Sequence, residues 1–312
     1  MKLAVVIPCL NEENSIAQTI LSVQQMGLDA DIYVIDNGST DRTAQIARKH
    51  SAYVLREPQK GKGFALRRGI TGIPDIYDVY FMVDGDDTYE ISPIIDALAL
   101  IEDGGFDMVI GRRVSDLEKN AGRSSGYRFG HVLGNKLLTY SFQFLFKLEI
   151  TDTLSGWRVM SRPFVRSFSG GASGFDIEAE LNAHCQTLSA AVTEVQVKYR
   201  GRLENSASKL RTYKDGLIIL RKNLRLFRSE RPLLAYSLMS APWLSAGILL
   251  SNRVFQTYLE IRLVPQFPSL IAAVGFFVIA CNLWVTGMIL EKTRQTRVSI
   301  SRLYFSQHSR FQ

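Results

Sequence analysis

The chain has 312 residues, a formal net charge of +7 and 46% hydrophobic residues, enough for one large or two modest domains. Cys9, Cys185 and Cys281 lie far apart with no paired spacing, which excludes a disulfide framework and a cysteine zinc site. The positive charge gathers beside long apolar segments, so anionic lipid headgroups suit it better as a partner than nucleic acid.

In chain order, Leu3–Ile7, Ile32–Ile35, Tyr53–Leu55 and Val79–Val83 are short runs rich in Val, Ile and Tyr that read as strands. The first follows a single lysine and is too short for the apolar core of a signal peptide. Between the first two runs, Ile16, Ile20, Val23 and Met26 share a helical face, with Gly27 as a stop. Ser39-Thr40-Asp41 supplies N-cap residues for a second helix through Ala44, Ile46 and Ala47. Such alternation predicts an α/β domain with a largely parallel sheet, helices on both faces, and ligands at the carboxyl ends of the strands. The loops starting at Pro8, Asp36 and Asp84 then share one crevice.

Asp84-Gly85-Asp86-Asp87 closes the fourth apolar run. Alternate residues of an extended segment share a face, so Asp84 and Asp86 can approach one hard cation, Mg2+ or Mn2+, held with diphosphate oxygens. Asp36 is placed to accept hydrogen bonds from a base or ribose and Gly38 permits close backbone approach; the same residues also serve a strand-to-helix turn. Lys60-Gly61-Lys62-Gly63 is a flexible basic loop without the pattern of an ATPase phosphate loop. No Gly-x-Gly-x-x-Gly follows the first strand, which argues against a dehydrogenase.

From Tyr127 to Leu148 apolar residues recur at helical spacing, as a core helix or one lying in the membrane interface. His131 and His184 read as surface or packed histidines. Lys214–Glu230 is a basic amphipathic helix leading to two nearly uncharged segments, Pro232–Ser251 and Pro268–Leu290. Each is close to the roughly 20 residues that cross a bilayer. Basic residues flank them on the outside of the pair, while the loop from Asn252 to Phe267 has only Arg253 and Arg262. The positive-inside rule then predicts both termini and the large domain in the cytoplasm. The expected organisation is a globular domain over 1–205, a juxtamembrane helix over 206–231, a transmembrane hairpin over 232–290 and a basic tail over 291–312.

Pro8-Cys9-Leu10-Asn11-Glu12, Asp36 to Asp41, Gly61-Lys62-Gly63 and Asp84 to Asp87 together resemble glycosyltransferase family 2 enzymes of the GT-A fold. The later half, with Gly111-Arg112-Arg113, Arg128 with Asn135, Ser155-Gly156-Trp157-Arg158 and Ser208-Lys209, is similar to the polyprenyl-phosphate branch, which includes dolichyl-phosphate mannose synthases. The resemblance covers about residues 1–231 and implies a Rossmann-like catalytic domain on a membrane anchor. It implies that Pro8, Asn11, Glu12, Asp36, Gly38, Lys62 and Asp84 hold a donor nucleotide, and that Asp84 and Asp86 bind the metal. Arg112 or Arg113, Arg128, Arg158 and Lys209 would grip an acceptor phosphate. The branch often has Asp-Ala-Asp-Leu-Gln where this chain has Asp84-Gly85-Asp86-Asp87-Thr88; Thr88 replaces a candidate ligand, and Asp87 is its alternative.

The resulting expectation is an integral protein of the cytoplasmic membrane that transfers one sugar, from a GDP-mannose or UDP-glucose type donor, to undecaprenyl or dolichyl phosphate. Two spans and a basic helix are compatible with a homo-oligomer. The alternatives are a family 2 enzyme with a hydroxyl acceptor and Asp176 as base, and a non-catalytic membrane scaffold. A processive polysaccharide synthase is disfavoured, because Gln-x-x-Arg-Trp is absent and two spans make a poor channel.

Overall fold

The computed structural model describes residues 1–114, 150–171, 177–200 and 227–308. These fall into two compact units, one formed by the residues up to 200 with 300–308, the other by 227–299. The expected helices over Tyr127–Leu148 and most of Lys214–Glu230 lie outside the described residues.

The first unit is a seven-stranded sheet in the order β3-β2-β1-β4-β6-β5-β7. β1 (Leu3–Cys9), β2 (Ala30–Asp36), β3 (Tyr53–Arg56) and β4 (Val79–Met82) are the expected strands. They are parallel, with α1 (Ile16–Gln24), α2 (Thr43–Lys49) and α3 (Lys62–Gly72) as crossovers. Strand order reverses between β1 and β4, where an open α/β sheet parts its crossovers and leaves a crevice. That geometry sets the end of β1 beside the end of β4, so the loop at Pro8 and the Asp84 cluster are neighbours by topology.

After α4 (Ile94–Glu102) come three strands that apolar runs did not reveal: β5 (Met108–Val114), β6 (Arg158–Ser161) and β7 (Val192–Lys198). β6 lies antiparallel between β4 and β5, and β7 is parallel to β5. Short α5 (Arg162–Ser167) and α6 (Ile177–Leu188) join β6 to β7. β5 ends in two arginines, β6 begins with one, and β7 alternates apolar with polar residues, so none presents a continuous apolar stretch.

Side-chain alternation divides the core. Leu3, Val5 and Ile7 face one apolar layer with α1 and Phe81. Ala4 and Val6 face the other, with Leu66 of α3 and Leu181 of α6. All four β4 residues are buried, as expected of a central strand covered on both faces. Trp157 stands edge-on to Phe81, ring centroids 4.9 Å apart, and packs against Gly111 of β5. A Cβ there would sit 2.8 Å from the indole and 2.7 Å from Val197.

The second unit holds α7 (Pro232–Ile261) and the part of α8 (Phe267–His308) that precedes residue 300. Both are long and apolar enough to cross a bilayer, and only 17% of each apolar window is buried. A soluble core helix would hide most of such a window; these faces require lipid or another apolar cover. The helices touch where Gly247 admits the Phe277 ring and Gly287 admits Tyr236, and where Trp243 meets Phe276 at 5.6 Å. Charge appears at one end of the pair, with Glu230 facing Arg297 at 3.6 Å. α8 runs well past the expected span, so the basic segment after Leu290 is helical rather than an irregular tail.

Gly111→Ala tests the contact between β5 and the Trp157 indole. Overpacking of this kind costs about 1–3 kcal/mol, a fall in unfolding midpoint of about 2–12 °C for a domain of this size. Thermal unfolding of the detergent-solubilised chain reads it, with Gly171→Ala, which meets nothing within 4 Å, as a control that leaves the midpoint unchanged.

Candidate functional site

Three loops meet at the carboxyl ends of β1, β2 and β4, and their polar side chains are spent largely on one another. The β1 loop turns at Asn11, whose φ is +57°. There the Asn11 N–H donates to Ser39 Oγ at 3.0 Å, and the Thr40 N–H donates to Asn11 Oδ1 at 2.8 Å. The Glu12 N–H donates to Thr43 Oγ1 at 2.8 Å, and the Glu13 N–H to Asp41 Oδ2 at 3.1 Å. In the β2 loop, Asp36 Oδ1 accepts the Ser39 N–H at 2.9 Å around Gly38, whose φ is +78°. The loop therefore makes the strand-to-helix turn that its residues suit, and that turn is locked to the β1 loop.

Asn37 ties in the third segment. It is 3% exposed, its amide donates to the Gln59 carbonyl at 2.6 Å, and its Oδ1 accepts the Gly61 N–H at 2.6 Å. The Gly-Lys-Gly loop is thus hung from the end of β2, and α3 begins at Lys62. Lys62 Nζ lies 2.5 Å from Asp84 Oδ1 and 2.6 Å from Glu178 Oε1. Burial acts to lower its pKa, yet Asp84 and Glu178 outweigh that and drive it upward, so the ammonium stays charged. Pairing Lys62 with Glu178 of α6 was not legible: nothing near Glu178 in the chain points to a partner over a hundred residues earlier.

The acidic cluster leaves β4 beyond Val83, whose N–H donates to the Val6 carbonyl at 3.2 Å. A Cβ on Gly85 would lie 2.5 Å from Cys9 Sγ, so a buried thiol from β1 dictates the glycine between the two aspartates. Burial pushes the Cys9 thiol well above its usual pKa, reinforced by Glu12, Asp84, Asp36 and Asp86. Four carboxylates from three loops thus make the surroundings of this thiol negative. Thr88 is buried and donates its hydroxyl to Asp86 Oδ1 at 2.6 Å; where the branch has a candidate ligand, this chain orients one. Asp87 adopts φ +54°, and burial raises its pKa while Arg200 pulls it back.

Asp84 and Asp86 are the two carboxylates of this cluster that could hold a divalent ion together. Among the described residues no group of three or more His, Cys, Asp or Glu side chains forms a metal cluster. Magnesium-type sites that use one or two carboxylates plus phosphate oxygens need none, so the donor set fits an ion that arrives with a diphosphate. The opposite face of Asp84 presses on Gly156, where a Cβ would overlap its carboxylate. Ser155-Gly156-Trp157 thereby serves as the floor of the site, with Ser155 Oγ donating to the Gly111 carbonyl at 2.6 Å.

The arginines divide sharply. Arg158 is 0% exposed. Its guanidinium donates to the Ser155 and Thr153 carbonyls at 3.0 and 3.1 Å and to Asn182 Oδ1 at 2.6 Å. Burial lowers its pKa, with Glu178 opposing. The expectation that Arg158 grips an acceptor phosphate fails on this geometry, since no face of the fork reaches a ligand; it braces the segment under Asp84. Arg113 is clamped by Asp152, with Nε–Oδ2 at 2.7 Å and Nη2–Oδ1 at 2.8 Å, and stacks over Tyr199. Arg112 projects to the other side of β5 and is exposed, lining a groove with Ile150 and Glu194. Arg128, Lys209, Asp176 and His131 lie outside the described residues. His184 is a packed histidine, 2.9 Å from Ser167 Oγ and flanked by Phe164 and Phe168.

A mostly parallel sheet with paired carboxylates at its switch point is the GT-A arrangement of glycosyltransferases. The model of glycosyl transferase family 2 matches residues 4–168, just over half of the chain, and the chain belongs to that family. Glycosyltransferase AglJ of Haloferax volcanii is 32% identical over 230 residues, 73% of each chain. The dolichyl-phosphate hexose transferase of the same organism is 28% identical over 229 residues, 73% of this chain and 95% of that one. Among solved structures, Mycobacterium tuberculosis glucosyl-3-phosphoglycerate synthase, in complex with Mn2+ and uridine-diphosphate-glucose, superposes with a TM-score of 0.54 at 22% identity. The match covers 72% of this chain and 78% of that one.

Two substitutions separate structural from ligand-binding roles. Gly85→Ala should lose about 1–3 kcal/mol of stability, and adding Cys9→Ala should recover most of it, a coupling that a double-mutant denaturation cycle measures. Arg158→Met leaves Asn182 Oδ1 and the Ser155 carbonyl buried without the guanidinium, each worth about 1–3 kcal/mol, while the Thr153 carbonyl keeps the Asn182 amide as donor. It should lower the unfolding midpoint sharply; a stable variant with only a raised acceptor KM would return Arg158 to the acceptor site.

Proposed function

We propose that the enzyme transfers one sugar from a nucleotide-diphosphate sugar, of the GDP-mannose or UDP-glucose type, to a polyprenyl phosphate at the cytoplasmic membrane face. The carrying observation is that the β1, β2 and β4 loops are tied to one another beside Asp84 and Asp86, in a chain that also has two long, lipid-compatible helices. The dolichyl-phosphate hexose transferase relative supports the lipid acceptor, and the Mn2+ and UDP-glucose of the structural neighbour support a metal-borne donor. The basic residues outside the helix pair support a cytoplasmic catalytic unit.

The chemistry follows from charge. A phosphate monoester has a second pKa near 6 and is largely dianionic at neutral pH, so it attacks the anomeric carbon without a general base. In-line attack through an oxocarbenium-like state inverts that centre. A bound Mg2+ or Mn2+ would neutralise the leaving diphosphate. Asp84 and Asp86 hold that charge in place, with Thr88 fixing the Asp86 carboxylate. Pro8, Asn11, Glu12, Asp36 and Gly38 form the nucleoside side of the crevice, and Lys62 stands on its phosphate side. The acceptor phosphate is assigned to Arg112, Arg128 and Lys209, with Arg113 and its Asp152 partner as a rigid wall.

Membranes carrying the chain, given labelled UDP-glucose or GDP-mannose with undecaprenyl or dolichyl phosphate, should form a solvent-extractable sugar-lipid. Chelation of divalent ions should abolish it. Asp86→Ala should lower turnover by about a hundredfold or more, the scale of several kcal/mol of charge stabilisation. A folded protein that glycosylates only a hydroxyl acceptor would favour the base-dependent alternative, and one that yields no product while retaining a cellular role would favour the scaffold.

A further inference from the structure

The Lys62 ammonium is shared unequally between its two carboxylates. Glu178 is 3% exposed and Asp84 27% exposed. The second Glu178 oxygen is buried without a hydrogen-bond partner among the described residues. An anion so poorly solvated depends on Lys62, because a buried charge stripped of its partner is far costlier than an exposed one. Asp84 can exchange its partner for water or a ligand; Glu178 cannot. The root of the lysine is also fixed, since Asn37 holds the Gly61 N–H, while the four-carbon stem of lysine is flexible and carries a point charge.

We infer that Lys62 is the resident counter-ion of Asp84 in the donor-free enzyme, and that Glu178 is the positioning residue from which Lys62 swings onto the donor's diphosphate; this rests on the donor site proposed above. A divalent ion approaching alone meets Asp84 Oδ1 already engaged by an ammonium, and like charges at such range repel. A diphosphate offers the ammonium a new partner and frees Asp84. Cation and diphosphate therefore bind as a pair, and neither binds well by itself. Glu178 keeps the departing lysine within the site, so the charge released from Asp84 is spent on the leaving group rather than lost to solvent.

The test uses the full chain in detergent, Mn2+ followed by its magnetic-resonance signal, and UDP and GDP as diphosphate probes. Lys62→Met should bind Mn2+ alone at least about threefold more tightly, yet bind diphosphate with Mn2+ about tenfold to a hundredfold more weakly. That reversal of sign is the signature, since a lysine that merely holds the fold together would weaken both. Glu178→Gln removes the buried carboxylate that shares Lys62 with Asp84 and so strengthens the hold of Lys62 on Asp84; Mn2+ alone should bind more weakly and diphosphate should enhance Mn2+ binding less than in the unmodified enzyme. Unfolding midpoints accompany each titration, and Lys62→Gln, which is expected to give the same signs, replaces Lys62→Met if that variant does not fold. Mn2+ affinity unchanged or weakened in the lysine variants, or diphosphate affinity unchanged, overturns the inference. If the unmodified chain binds neither Mn2+ nor diphosphate, the donor reading falls and this one with it; if it binds both while the variants lack the reversal, only this inference falls.

Discussion

A lysine ammonium held between carboxylates from β4 and α6 is the contact on which the rest of the site depends. Lys62 reaches that position because Asn37, at the end of β2, suspends the loop before α3. Asp84 reaches it because the switch point sets β4 beside β1 and because Gly156 leaves room behind its carboxylate. Glu178 arrives from the opposite end of the domain on a helix packed against the second core layer. Bringing these groups together gathers negative charge that would repel itself apart in the absence of a cation. The crevice is thus an electrostatic balance as much as a shape, and the sheet beneath supplies the rigidity that keeps it from relaxing.

The first half of the domain was legible because its signals are local. β1 to β4 are continuous apolar runs, and their end-loops carry residues whose turn and cap chemistry acts within a few positions, as Ser39 on Asp36 and Thr43 on Asp41 illustrate. The second half hides its logic in distance. Arg158 reads as a surface or ligand-binding charge, yet its acceptors include Asn182, 24 residues away, and no neighbour in the chain announces burial. β5 and β7 escape notice because arginine and glutamate occupy strand positions whose side chains find partners across the sheet, as Arg113 does with Asp152 and Glu194 with Thr151. Motif resemblance pointed to these segments, while the partners that hold Arg158 lie outside the motif.

The two long apolar helices were legible for a different reason: length and apolar composition need no partner. The contacts between the two helices were not, since Gly247 matters for the Phe277 ring and Gly287 for the Tyr236 Cβ and the backbone that the opposite helix brings to them. Because small residues let helices approach closely where the hydrophobic effect gives no drive to associate, these two positions do more for the pairing than the many exposed leucines. The basic stretch after Leu290 continuing as helix also means that charge and apolar span share one rigid rod.

The contact between Cys9 and Gly85 carries a consequence for the history of the sequence. A side chain at 85 collides with the thiol, whereas a smaller residue at 9 would leave a void that a methyl group at 85 could fill. The two positions are therefore constrained to change in order: shrinkage at 9 opens the path to alanine at 85, and the reverse order passes through a strained intermediate. In this chain, whether position 85 can carry a methyl group is set by van der Waals radii through the residue at 9.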